Sequence, residues 1–267
     1  MGDRIYRVSV NAARFARRRC LEVVQIGPAA LADPSSRLLA VTHQGHLEPV
    51  LISMALERPV HWVARRHLFR GRVRDALMRS HLAVPVDLPG EPAYALRNVI
   101  DLLRRGRTVG IFPEGAVKRG DESCLRGGPI YGGTCLVSIK AQVPIVPVAV
   151  YGIEQLRRVR SFLPFQRTRV VIATGAAVAP PAQGEIISAR EARRELGERL
   201  SRAFVELHAS TRAGGTLNPA WEPDAYRLDA RDERTVEHDP GATGSLRIAE
   251  AQRDSASKRK MGTVASS

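Results

Sequence analysis

Short apolar runs, each too brief for a helix and each set between stretches of helical character, constrain the fold of this chain more than any other feature. The runs are residues 37–42, 60–64, 82–86, 108–112, 145–151 and 169–174. Helical patterns occupy 49–56, 68–79, 93–105, 133–141 and 188–207. In the last of these Ser188 and Glu191 are spaced as a capping box, and Ala192, Leu196, Leu200, Ala203 and Leu207 share one face. Runs that are apolar at successive positions belong to strands covered on both sides. Strand and helix in turn therefore predict an α/β fold, with a layered, mixed and largely buried β-sheet flanked by helices.

The two ends read differently from the middle. Ile5, Val8, Ala12, Phe15 and Ala16 recur at helical spacing, and Arg4, Arg7, Asn11, Arg14 and Arg18 form a second stripe turned about 100° from the first. Residues 1–24 are thus assigned to an N-terminal basic amphipathic helix, either docked on the domain or lying on an anionic membrane surface. Residues 25–213 form the folded domain. From Gly214 the apolar period gives way to Gly, Pro, Ser, Asp and Arg, so 214–267 is expected to be mostly disordered.

The formal charge of +14 comes from 41 basic and 27 acidic residues. Eight basic and nine acidic residues lie beyond residue 213, which leaves +15 on the first 213. A field of that sign favours anionic partners: nucleic acid, anionic lipid or a phosphorylated small molecule. Nucleic acid is not expected, because the strands carry few aromatics among basic residues and no helix-turn-helix, RRM or zinc pattern occurs. The three cysteines, Cys20, Cys124 and Cys135, make no paired framework and suit a reducing compartment. No apolar run is long enough to span a bilayer, and arginines stand where a secretory signal needs an apolar core.

Two stretches look like chemistry. The run 37–42 delivers His43 at a strand end, and Pro49, suited to the first turn of a helix, puts Glu48 at or beside its N-cap. His43 and Glu48 then face each other across a tight turn. A carboxylate on one ring nitrogen fixes the tautomer, leaves the other nitrogen to accept a proton, and stabilises the imidazolium that follows. The competing readings are a histidine that ends a strand beside a glutamate that starts a helix, and a metal site built from His43, His46 and Glu48. The spacing matches no zinc pattern of the HExxH kind, so no metal is expected. The second stretch, Phe112-Pro113-Glu114-Gly115, ends another strand in a turn whose glycine lets a ligand approach the backbone. Lys118 and Arg119 follow it, and Arg65 and Arg66 follow the strand at 60–64, so four cations are candidates for the same end of the sheet. Open α/β sheets bind ligands at the carboxyl ends of their strands; solvated surface is the ordinary alternative for each cation.

Thr42 to Pro49, Phe-Pro-Glu-Gly at 112–115 and Val-Pro-Ile-Val-Pro-Val-Ala-Val at 143–150 resemble, in order and spacing, the first, third and fourth blocks of the glycerolipid and lysophospholipid acyltransferase family. Val63-Ala64-Arg65-Arg66, with Val84-Pro85-Val86-Asp87, is similar to its second region, and the resemblance covers roughly residues 20–210. It implies an O-acyltransferase of phospholipid biosynthesis, peripheral on the cytoplasmic face of a membrane. The fatty acyl group of acyl-CoA or acyl-ACP, a co-substrate rather than a cofactor, passes to the hydroxyl of a lysophospholipid, 1-acylglycerol-3-phosphate first. It further implies His43 as base and Glu48 as its orienting acid. Glu114, Gly115, Lys118, Arg119, Arg65 and Arg66 fall to the acceptor or phosphate site, and Pro144 and Pro147 to the acyl side of the pocket. Three places depart from the family pattern. Glu48 stands in place of aspartate, Ala116 and Val117 in place of Thr-Arg, and Tyr131 precedes the glycines where a basic residue is usual. They make an uncharged or non-glycerol lipid the alternative acceptor.

Overall fold

Leu38–Val41 is buried at all four positions, and it is the middle strand of the sheet. The structure, a computed structural model, describes residues 10–11, 21–27, 38–45, 47–56, 58–86, 92–153, 168–182, 188–215 and 217. Among these, seven strands are β1 (Leu21–Ile26), β2 (Leu38–Val41), β3 (Val60–Arg65), β4 (Ala83–Val86), β5 (Thr108–Ile111), β6 (Ile145–Tyr151) and β7 (Thr168–Thr174). They join in the order β1-β7-β6-β2-β5-β3-β4. Strands β2 to β6 are parallel, β7 runs antiparallel to β6, and β1 is parallel to β7. The helices are α1 (Glu48–Ala55), α2 (Arg72–Ser80), α3 (Pro92–Arg104), α4 (Gly132–Ala141) and α5 (Ala189–Ala213). The mixed, helix-flanked sheet is the architecture expected from the sequence.

Two apolar layers explain why the runs are apolar at successive positions. Leu38 and Ala40 of β2 face one layer with Val99 and Leu103 of α3, Val137 of α4, and Leu196, Leu200 and Phe204 of α5. Leu39 and Val41 face the other, with Leu51, Ile52 and Met54 of α1 and Val146, Val148 and Val150 of β6. Alternate residues point to opposite faces of a strand, so a sheet with cover on both sides needs apolar side chains at every position.

Three expectations need correction. Leu21–Ile26 is a strand paired with β7, so a helix cannot run to residue 24. Of the remaining N-terminal stretch only Val10 and Asn11 are described, both helical; the rest lies outside the described residues, as does 218–267 of the tail. The helix expected over 68–79 is two elements, a 3-10 turn at Arg66–Phe69 and α2, divided at Gly71 with φ +90°. The last helix continues six residues past Leu207, to Ala213. No helix among the described residues is long and apolar enough to cross a membrane.

Candidate active site

Because β2, β3 and β5 are parallel neighbours, their carboxyl ends bring His43, Arg65 and the turn at 112–115 to one end of the sheet. His43 follows β2 directly, since Thr42 N–H still donates to Val148 O (3.0 Å) and the chain then turns out of the sheet. Glu48 opens α1, with Pro49 behind it. Its carboxylate reaches back over the turn, where Oε1 accepts from the N–H groups of Gln44 (2.6 Å) and Gly45 (2.5 Å). The same oxygen stands 3.6 Å from His43 Nδ1. That separation is an ion-pair contact, longer than a hydrogen bond, and catalytic hydrogen bonds are often long before substrate binds. Nε2 is the ring nitrogen turned away from Glu48.

Glu48 is fully buried, while the His43 side chain retains 18% exposure. Burial pushes the Glu48 carboxyl up, but the hydrogen-bonding and charge contribution of His43, together with backbone N–H groups, outweighs it and holds the carboxyl below its ordinary value. Its place at a helix N-terminus acts in the same direction. The anion needed beside an imidazolium is therefore present at neutral pH.

The imidazole is held from two further sides. Its ring stacks on Phe112, with centroids 4.2 Å apart and planes inclined 26°, and Phe112 stacks in turn on Trp62 at 5.5 Å. Trp62 is anchored by Nε1–H donating to Ser53 Oγ (3.1 Å). Below the ring, His43 N–H donates to Glu114 Oε2 (2.6 Å), while Glu114 Oε1 accepts from Ser123 Oγ (3.0 Å) and Cys124 N–H (2.9 Å). Glu114 is 1% exposed, and burial raises its carboxyl above the ordinary value despite these donors. Both of its oxygens hold the structure around the histidine, one bracing the His43 backbone and the other the loop at 123–124.

Gly115 has φ +66°, and a Cβ there would stand 2.6 Å from the Tyr131 ring, so the glycine lets Tyr131 close over the turn. Tyr131 N–H also donates to Pro113 O (2.8 Å). Arg65 Nη2 donates to Gly115 O (2.8 Å), which fastens the end of β3 to the same turn. Of the other candidate cations, Lys118 is paired with Glu122 (2.9 Å), Arg119 is half-buried in the loop, and Arg66 is exposed on the 3-10 turn. Pro144 and Pro147 do not line this site. Pro144 precedes Ile145 at the amino end of β6, about 20 Å along the strand axis from His43. Pro147 points to the opposite face, packed where Gly175 leaves it room beneath α5.

Ser123, Cys124 and Trp62 were not singled out by the sequence. Only Trp62 left a trace there, through its register partner Gly110, a glycine inside a strand that marks a close approach. Cys124 and Cys135 are buried free thiols; burial pushes Cys135 up to about 11, and burial with the Glu114 charge pushes Cys124 up as well. Neither is prepared as a nucleophile. His46 lies outside the described residues.

Residues 25–151 match the model of the Acyltransferase family. The 1-acyl-sn-glycerol-3-phosphate acyltransferase of Bacillus subtilis (strain 168) is 27% identical over 123 residues, which are 46% of this chain and 59% of that protein. The chain thus spans under two thirds of the length of this relative. The crystal structure of the 1-acyl-sn-glycerophosphate (LPA) acyltransferase PlsC from Thermotoga maritima superposes with a TM-score of 0.51 at 21% identity, over 75% of this chain and 80% of that one. That likeness shows the fold. His43, Glu48 and the Glu114 turn all lie inside the segment that matches the Acyltransferase family model.

Proposed function

We propose that this protein transfers a fatty acyl group from acyl-CoA or acyl-ACP to the hydroxyl of a lysophospholipid, with 1-acylglycerol-3-phosphate as first acceptor, in phospholipid biosynthesis at a membrane surface. The observation that carries the proposal is the His43 and Glu48 pair, 3.6 Å apart at the strand ends. The relatives named above, both called 1-acylglycerophosphate acyltransferases, support the acceptor class.

Each step uses groups at this site. The acceptor hydroxyl gives its proton to His43 Nε2 as its oxygen attacks the thioester carbonyl. Glu48 stabilises the imidazolium through Nδ1. The tetrahedral intermediate collapses with cleavage of the C–S bond, and the imidazolium returns the proton to the departing thiolate. The products are an acyl ester and a free thiol, with no acyl-enzyme between them. Phe112 and Glu114 hold the imidazole in place while its charge changes.

A second acceptor class, an uncharged lysolipid, is favoured by two observations: Lys118 is paired with Glu122, and Tyr131 covers Gly115. Incubation with a radiolabelled acyl thioester and a panel of 1-acylglycerol-3-phosphate, glycerol 3-phosphate and uncharged lysolipids separates the two by product mass. Acyl transfer is expected with wild type and, in His43→Ala, is expected to fall by at least about a hundredfold, as for loss of a general base. Transfer at the wild-type rate by His43→Ala would overturn the proposal.

A further inference from the structure

Helix α2 is built inside out. On a helical wheel Val73, Ala76 and Leu77 share one face, and Asp75, Met78 and Arg79 lie on the other. The apolar face is the one turned to solvent: Val73 is 83% exposed and Leu77 56%, and no residue of α2 is buried. Asp75 and Met78, on the opposite side, are half-buried. Leu68, in the preceding 3-10 turn, adds a third apolar side chain at 42% exposure. A soluble amphipathic helix ordinarily turns this face to the core. The described neighbours of α2 are the 3-10 turn and β4, the edge strand of the sheet, and they cover only its polar side.

The surroundings of this face are strongly cationic. Arg72 and Arg74 flank the apolar stripe on its two sides, and Arg66 and Arg70 are exposed in the turn before it. Arg79 is paired with Asp75, the single acidic residue between 66 and 81. An apolar stripe bordered by arginines is the pattern of a helix that lies in a bilayer interface, its apolar side chains among the acyl chains and its cations among anionic headgroups. Docking onto a second copy would bring these arginines against their own kind, which like-charge repulsion opposes.

We infer that Leu68, Val73 and Leu77, with the arginines around them, form a docking surface for anionic phospholipid bilayers at the mouth of the acyltransferase site. The position is specific. Arg65, one residue before the 3-10 turn, is bonded to Gly115 O, so the surface is tied directly to the turn that holds His43. A bilayer held there places an amphiphilic acceptor beside the strand ends while the thioester arrives from water. The role in catalysis rests on the lipid-acceptor reading; the docking itself does not depend on it.

The test uses the full chain with sucrose-loaded vesicles of phosphatidylcholine, with and without phosphatidylglycerol. Wild type is expected to sediment with the anionic vesicles, less so as salt is raised. Val73→Glu/Leu77→Glu and, separately, Arg72→Gln/Arg74→Gln are each expected to weaken that binding by at least about tenfold. Acyl transfer to a short-chain acceptor dissolved below its critical micelle concentration should remain at the wild-type rate in both variants, which also shows that they fold. Vesicle binding equal in wild type and both variants would overturn the inference. So would a wild-type dimer that dissociates in Val73→Glu/Leu77→Glu with vesicle binding unchanged. If binding drops as expected but no protein transfers acyl groups to the dissolved acceptor, the docking surface stands and the acyltransferase reading fails.

Discussion

At the scale of single residues, Glu48, one methylene longer than aspartate, is anchored by backbone N–H groups. Its Oε1 is held by Gln44 and Gly45 N–H groups and still stands within ion-pair distance of His43. A glutamine there can accept from the same two N–H groups, so the turn survives, but it carries no charge to stabilise an imidazolium. Glu48→Gln is therefore expected to lower kcat by about 10²–10⁴, with little change in the KM for thioester. Steady-state rates across thioester concentrations measure both, and a kcat near wild type would remove Glu48 from the chemistry. Glu114 lies one step further back, where its oxygens hold the His43 backbone and the loop at 123–124. The sequence marks both carboxylates as chemical by their place at strand ends, but it cannot separate the roles. That separation depends on Ser123 and Cys124, which arrive through a loop whose course leaves no periodic signal.

At the scale of elements, the stack of His43, Phe112 and Trp62 ties β3 and β5 to the candidate active site, and Gly110 is what admits the indole. A Cβ on Gly110 would lie 2.5 Å from Trp62 Cζ3. Gly110→Ala is thus expected to cost about 1–3 kcal/mol of stability through overpacking and to lower kcat by displacing Phe112 and His43. Chemical unfolding and rate measurements check both, and the smaller ring of Trp62→Phe should recover part of the loss when combined with it. Unchanged stability and rate in Gly110→Ala would show that the stack is loose. The strands and helices around this stack were legible because each contributes apolar side chains to a layer at regular spacing. Where polar residues face inward, the pattern fails. Helix α5 outruns the end expected at Leu207 because its buried face continues through His208, bonded to Tyr151 Oη (3.0 Å), and Thr211, bonded to Leu207 O. Strand β1 has no local signal that separates it from the arginine-rich stretch before it, since its one described partner, β7, is more than 140 residues away. The helix expected across Gly71 is too long for the opposite reason: a helical period carries over a glycine that the backbone uses as a break.

At the scale of the whole molecule, two buried carboxylates give stability an opposed dependence on pH, and the opposition identifies them. The ordinary carboxyl value is 4.5 for both. Glu48 is held below it when folded, so its ionised form stabilises the protein above that value, and the contribution is lost as pH falls through the lowered folded value. Glu114 is raised above it by burial, so the folded state takes up a proton more readily than the unfolded chain. Its contribution is complete below 4.5 and is lost as pH rises through the raised folded value. Glu48→Gln and Glu114→Gln remove these two dependences separately. Between about pH 3 and about pH 7, the stability difference between wild type and Glu48→Gln is expected to grow until about pH 4.5 and then level off, while that between wild type and Glu114→Gln is steady at the acid end and falls as pH rises above 4.5. Urea unfolding midpoints for the three proteins across that range measure both slopes. A Glu114→Gln difference that rises and levels off in parallel with that of Glu48→Gln would mean that the donors from His43, Ser123 and Cys124 outweigh burial. Glu114 would then be a second fixed anion under the imidazole, and the charge beside His43 would be shared between two carboxylates instead of resting on Glu48.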